Sequence, residues 1–171
     1  MNNSITLQKT LSKEVELNGV GLHTGKQVKL KFVPAPVNTG FVFVRTDVTP
    51  NVKIPADIQY VINTDRGTNL EKDSYKIQTS EHVLAALVGM GVDNCFIELD
   101  ESESPIMDGS SKFFVEAIES AGVVEQSERR CEYVVTEIIS YRDEETGSEI
   151  TLIPSDTFQV TTMVDFQTKV L

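Results

Sequence analysis

At 171 residues and 40% hydrophobic content, the chain has the size and composition of a folded globular protein rather than a disordered one. Asp and Glu total 26 against 15 Lys and Arg, a formal charge of -11, which disfavours non-specific binding to nucleic acid or to an anionic membrane surface. Met1-Asn2-Asn3-Ser4-Ile5 has no basic flank leading into an apolar core, and no run approaches the ~20 apolar residues of a membrane span, so a cytoplasmic location is expected.

The first elements read as strands. Val28, Leu30 and Phe32 alternate with Lys29 and Lys31, and Phe41 to Arg45 is a second β-prone run, expected to pair with the first as its neighbour. Pro34-Ala35-Pro36-Val37-Asn38-Thr39-Gly40 separates them, since proline removes a ladder donor and Asn and Gly accept turn geometry. From Pro50 to Tyr75 the pattern predicts short extended pieces and turns. A first helix, short and mostly buried, begins near Thr79 or Ser80, either of which can cap free amides, and stops around Gly89-Met90-Gly91. The strand Asn94 to Asp100 follows, with Cys95, Ile97 and Leu99 on its inner face. After the acidic turn Glu101-Ser102-Glu103-Ser104-Pro105, Asp108 or Ser110 caps a second helix. Its apolar stripe is Phe114, Ala117, Ile118 and Ala121, and Gly122 ends it. Cys95 and Cys131 stand in no C-x-x-C spacing and read as buried free thiols.

A composition break at Glu125-Gln126-Ser127-Glu128-Arg129-Arg130 sets an N-terminal domain, residues 1–126, apart from residues 127–171. Strand-like runs follow at Tyr133 to Tyr141, Glu149 to Ile153 and Phe158 to Phe166, with no helix after them. A segment of about 40 residues rarely buries enough surface to stand alone, so 127–171 reads as the truncated beginning of a second domain. Strands without their helices leave an apolar face and open edges, which predicts self-association, swapping or local disorder.

Thr79-Ser80-Glu81-His82 places a carboxylate beside an imidazole at a helix start. The positive end of the helix dipole disfavours a protonated ring there and leaves it free to ligate a metal, with Glu81 as the nearby base. Taken alone, His82 reads more readily as a satisfied first-turn histidine, and Glu81 as an acid that the dipole favours.

Three patterns occur in order: Gly19-Val20-Gly21-Leu22-His23-Thr24-Gly25, Thr79-Ser80-Glu81-His82 and Pro105-Ile106-Met107-Asp108-Gly109-Ser110. Together they resemble the N-terminal domain of the bacterial zinc-dependent UDP-3-O-acyl-N-acetylglucosamine deacetylase family of lipid A synthesis, from about Ile5 to Phe166. The resemblance implies an α+β fold of two similar domains, each a two-layer sandwich of a small mixed or antiparallel sheet with helices on one face, and an active site between them. It implies that His82 is a ligand of Zn2+ and that Glu81 is the general base toward the metal-bound water. Zinc in such sites lowers the pKa of its water toward ~7 and polarises the amide carbonyl.

The same resemblance places Leu22 at the entrance for the acyl chain of the UDP-sugar substrate. It puts His23 beside the cleft, where the alternative is a tight hairpin with an exposed ring. Asp65 and Arg66 fall in an inserted segment bordering the substrate, with a solvated turn as the alternative because residue types vary there. Pro105 to Ser110 is assigned a structural turn and no chemistry. The family's other zinc ligands, a His and an Asp one helical turn apart, have no counterpart here, and His23 is the only histidine besides His82. One imidazole does not hold zinc tightly, so the chain alone is expected to be inactive. The rival reading is a non-catalytic binding or scaffold module that keeps the fold without the metal.

Overall fold

Alternate side chains of a strand leave opposite faces of a sheet, and Val28, Leu30 and Phe32 leave theirs on the same side, each with 3% exposure or less. The structure, a computed structural model, describes residues 6–164. The Met1 to Ile5 reading and the end of the Phe158 to Phe166 run lie outside the described residues. In chain order the strands are β1 (Leu7–Leu11), β2 (Val15–Val20), β3 (Gln27–Pro34), β4 (Phe41–Arg45), β5 (Val52–Pro55), β6 (Val61–Asn63), β7 (Asn69–Lys72) and β8 (Tyr75–Ile77). Helix α1 (Glu81–Gly89), β9 (Cys95–Leu99), α2 (Lys112–Ala121), β10 (Val123–Arg129), β11 (Ile139–Arg142) and β12 (Glu149–Leu152) follow. Contacts divide the chain into two compact units, Met1–Arg130 and Cys131–Leu171.

In the first unit a five-stranded sheet runs in the order β2, β3, β9, β4, β5, antiparallel throughout except for β4 beside β9. Its register lines up Val15, Phe32, Ile97, Phe43 and Ile54 in one row. Two helices cover that row: α1 buries Val83, Ala86 and Leu87, and α2 buries the expected stripe Phe114, Ala117, Ile118 and Ala121. Phe114 meets Phe32 edge-on, with centroids 6.4 Å apart at 74°. The other face carries charge, including Lys31 at 3.7 Å from Glu98 and Lys29 at 3.5 Å from Glu16. This is the expected α+β two-layer sandwich with helices on one face.

Several local expectations are corrected. β3 and β4 are not neighbours, because β9 lies between them. Their connection therefore spans two inter-strand spacings, about 10 Å, instead of making a tight turn. Asn94 closes the junction by accepting the Gly40 amide at 2.8 Å, and Cys95 donates its amide to the Gly40 carbonyl at 3.0 Å. Helix α1 is less buried than expected, since a continuous apolar run cannot face one way on a helix, and Val88 is 56% exposed. Glu125 to Arg130, read as a break, is largely β10, antiparallel to β1 with Leu7 opposite Arg129. Its polarity reflects a surface strand with mostly exposed side chains.

Cys95 is buried as expected, and burial, opposed by a hydrogen bond from the Val33 amide, pushes its thiol up to about 12. Cys131 is exposed, a correction with a simple cause: it follows the last strand of the first unit and belongs to no element. In the second unit β11 and β12 form a two-stranded hairpin, whose turn Asp143 braces by accepting the Glu145 and Thr146 amides at 2.8 and 3.0 Å. The Tyr133 to Tyr141 run is strand only from Ile139, and residues 158–164 form none. A β-prone run without a paired neighbour has no ladder to hold it extended.

Candidate active site

Strand β8 ends in a sharp turn at Thr79, whose φ of 55° lies in the left-handed region that a β-branched residue rarely enters, at a cost of about 1–3 kcal/mol. Its hydroxyl donates to Glu103 Oε1 at 3.1 Å, and the Ser80 hydroxyl donates to the Thr68 carbonyl at 2.9 Å. Neither hydroxyl caps α1, which corrects the expectation that Thr79 or Ser80 would do so. Both instead tie the helix mouth to neighbouring segments.

Glu81 is the first residue of α1. Its Oε2 accepts the Thr68 amide at 2.9 Å, while Oε1 lies 3.9 Å from His82 Nε2. Both side chains remain about a third exposed, at 36% and 29%, so the pair is held but open to a ligand. Gly67, at φ 147°, leaves the necessary space, because a Cβ there would stand 3.2 Å from Glu81 Oε1. On the backbone side, the His82 carbonyl accepts the Ser111 hydroxyl at 3.0 Å, which fastens the start of α2 to the start of α1.

The glycine loop of the first motif closes on itself, the Gly25 amide donating to the Gly21 carbonyl at 3.0 Å. It packs on the third motif: the Ile106 amide donates to the Val20 carbonyl at 3.0 Å, and a Cβ on Gly19 would lie 2.7 Å from Pro105 Cβ. In the third motif Asp108 accepts the Ser110 amide at 3.0 Å and its hydroxyl at 2.7 Å. Ser110 Oγ in turn accepts the Lys112 amide at 3.1 Å, so of the two expected caps Ser110 makes the bond to α2 and Asp108 braces it.

Glu103 joins these segments and was missed in the sequence, where it read as part of an acidic turn. At 1% exposure its carboxylate accepts the amides of His23 at 3.0 Å and Thr24 at 2.8 Å, and the hydroxyls of Thr24 at 2.8 Å and Thr79 at 3.1 Å. No local signal marked it, since β9 ends at Leu99 and its alternation does not continue through the bends that follow: Ser104, of opposite parity, is buried equally. Burial pushes its pKa up, but the donated bonds from His23, Thr24 and Thr79 outweigh burial and leave it below the ordinary 4.5. A carboxylate lowered in the folded state contributes stability that is complete above its unfolded value and is lost as pH falls through the folded one. The stability advantage of the wild type over Glu103→Gln is therefore expected to be full at neutral pH and to shrink once pH drops below about 4.5. Urea midpoints followed from neutral to acid pH measure it, and a gap that widens on acidification contradicts it.

The other sequence-selected residues fall as follows. His23 is exposed, with Nε2 3.3 Å from the Arg66 carbonyl, and Arg66 takes a left-handed φ of 58°. Through Thr68 the same turn reaches Glu81, so His23, Arg66, Glu81 and His82 border one surface. Asp65 lies exposed in that turn, where its carbonyl accepts Asn69 Nδ2 at 3.4 Å, and Leu22 is 57% exposed beside His23. Among the described residues no three His, Cys, Asp or Glu side chains gather as a metal site. The donor set here thus fits one corner of a zinc site, an imidazole with a carboxylate beside it, and not a closed site.

A protein-family model described as LpxC: UDP-3-O-acyl N-acetylglycosamine deacetylase matches residues 8–171. Over 164 residues the chain is 46% identical to the bifunctional enzyme LpxC/FabZ of Chlorobaculum tepidum, covering 96% of this chain and 35% of that protein. It is 45% identical over 160 residues to the UDP-3-O-acyl-N-acetylglucosamine deacetylase of Chromohalobacter salexigens, covering 93% and 52%. For the protein of the same name from Myxococcus xanthus the identity is 44% over 164 residues, covering 96% and 52%. The chain spans about half or less of the length of these relatives.

Proposed function

We propose, from the premise that this chain belongs to the LpxC family of UDP-3-O-acyl-N-acetylglucosamine deacetylases, that it supplies one wall of a zinc-dependent amide hydrolase of lipid A synthesis, working in the cytoplasm. The observation that carries the reading is the Glu81–His82 pair at the mouth of α1, 3.9 Å apart and open to a ligand, with the His23 and Arg66 turns beside it. No helix of the described residues is long and apolar enough to cross a membrane.

His82 would be the chain's zinc ligand. When bound, zinc supplies a water of lowered pKa and a Lewis acid for the amide carbonyl. Glu81 acts as general base through Oε1, the oxygen left free when Oε2 accepts the Thr68 amide. His23 and Leu22 flank the sugar and acyl portions of the substrate, and Asp65 and Arg66 border it from the opposite turn. Beyond Arg130, β11 and β12 contribute the opening strands of a second, similar domain. The open edges of the β11–β12 hairpin, with Tyr141 and Ile150 each 67% exposed, suit pairing with further strands, including those of another copy.

With one corner of a metal site present, a polypeptide of these 171 residues is expected to bind zinc below stoichiometry and to release no acetate from UDP-3-O-acyl-N-acetylglucosamine. The protein that also brings the missing ligands should do both. Elemental analysis and an acetate assay on the two decide the matter. Stoichiometric zinc in the shorter polypeptide would overturn the ligand assignment, and no turnover in either would favour a scaffold that kept the fold.

A further inference from the structure

We propose that Glu103 is a positioning residue, whose buried carboxylate fixes the His23 loop against the turn that presents Glu81 and His82. The inference deepens the deacetylase reading and rests on it for the meaning of the site, though not for the geometry. The contacts form a closed ring. Glu103 takes the His23 and Thr24 amides, the His23 ring meets the Arg66 carbonyl, and two residues on the Thr68 amide donates to Glu81. Glu81 follows Thr79 by two residues, and the Thr79 hydroxyl returns to Glu103.

The chemistry of the ring calls for a carboxylate. Its partners include two backbone amides, which can only donate, approaching both oxygens, and an ionised carboxylate is acceptor-only. A glutamine in the same place would turn its NH2 toward one backbone N–H whichever way it flips. The Glu103 backbone is anchored as well: the Gln78 amide donates to the Ser102 carbonyl at 2.8 Å, and the Ser104 amide to the Gln78 carbonyl at 3.1 Å. This clamps Glu103 beside the end of β8. Opposite, Gly21 makes room, since a Cβ there would come within 2.5 Å of Glu103 Oε2. The four donors at one buried acid link the loop and the helix mouth, which no direct hydrogen bond joins among the described residues.

Amide hydrogen exchange and amide chemical shifts in the intact protein test this in two variants. In Glu103→Gln the His23 and Thr24 amides are expected to exchange about tenfold or more faster, while those of Phe32 and Ile97 in the sheet stay protected. Thr79→Val removes one hydroxyl and keeps the shape. There the His23 and Thr24 amides stay protected and the Glu81 and His82 amide signals shift. In the protein that turns over substrate, Thr79→Val is expected to lower kcat by on the order of tenfold with KM within about threefold, the pattern of a displaced but still binding site. Unchanged exchange at His23 and Thr24 in Glu103→Gln would overturn the proposal. So would a loss of protection that includes Phe32 and Ile97, or unmoved Glu81 and His82 signals in Thr79→Val. The exchange results stand even if the protein proves not to deacetylate, and the deacetylase reading stands on Glu81 and His82 if they refute Glu103.

Discussion

Changing Glu81 to Gln in the active protein lowers acetate release by about 10²–10⁴-fold while fold and zinc content are retained. Gln keeps a carbonyl that can accept the Thr68 amide, so the bond that holds the helix mouth survives. What disappears is the capacity of the second oxygen to take a proton. Steady-state acetate release, paired with elemental zinc and a thermal melt, separates the outcomes. Activity within about tenfold of wild type would remove Glu81 from the chemistry. A melt that drops as far as the rate would instead assign it to holding the α1 mouth.

Phe114→Ala should cost about 3–5 kcal/mol, a large part of the roughly 5–15 kcal/mol that keeps a domain folded. Phe114 has no exposed surface and meets Phe32 edge-on, so truncation leaves a cavity between α2 and the sheet. The site should feel the change, because Ser111, near the start of the same helix, holds the His82 carbonyl. Urea unfolding of the variant measures the loss, and a cost under about 1 kcal/mol would mean that α2 does not close the core.

The parts of this architecture that were legible in the sequence are those where burial imposes a period. The stripe Phe114, Ala117, Ile118 and Ala121 and the alternations in β3 and β9 reported their inward faces directly, because each side chain answers to one local geometry. Strand order was not legible. β4 and β9 are parallel neighbours separated by a long stretch of chain, and no local pattern in Phe41 to Arg45 announces which strand will lie beside it. The polar strand β10 was hidden for the opposite reason, since a surface strand with solvated side chains looks like a linker.

The candidate site divides in the same way. Glu81 and His82 stood out as adjacent reactive groups before an apolar run, and the glycine loop stood out by composition. Glu103 did not, because a buried acid is specified by donors arriving from His23, Thr24 and Thr79, far from it in the chain. Thr79 likewise looked like a cap, and only its left-handed backbone and its hydroxyl's partner reveal a tie between segments.

The pairing of β1 with β10 sets a clock on biosynthesis. Leu7 stands opposite Arg129 and Leu11 opposite Val123, so β1 waits for β10 before its ladder can form. At about 5–20 residues per second that wait lasts on the order of ten seconds, during which β1 can make its bonds to Ala35, Asp93 and Asn94 but lacks its strand partner. Ribosome-bound chains stopped short of Val123 should be cut readily by protease near Leu11, and chains carried past Arg130 into the open should resist. Protection at both lengths would mean that β1 docks without its partner.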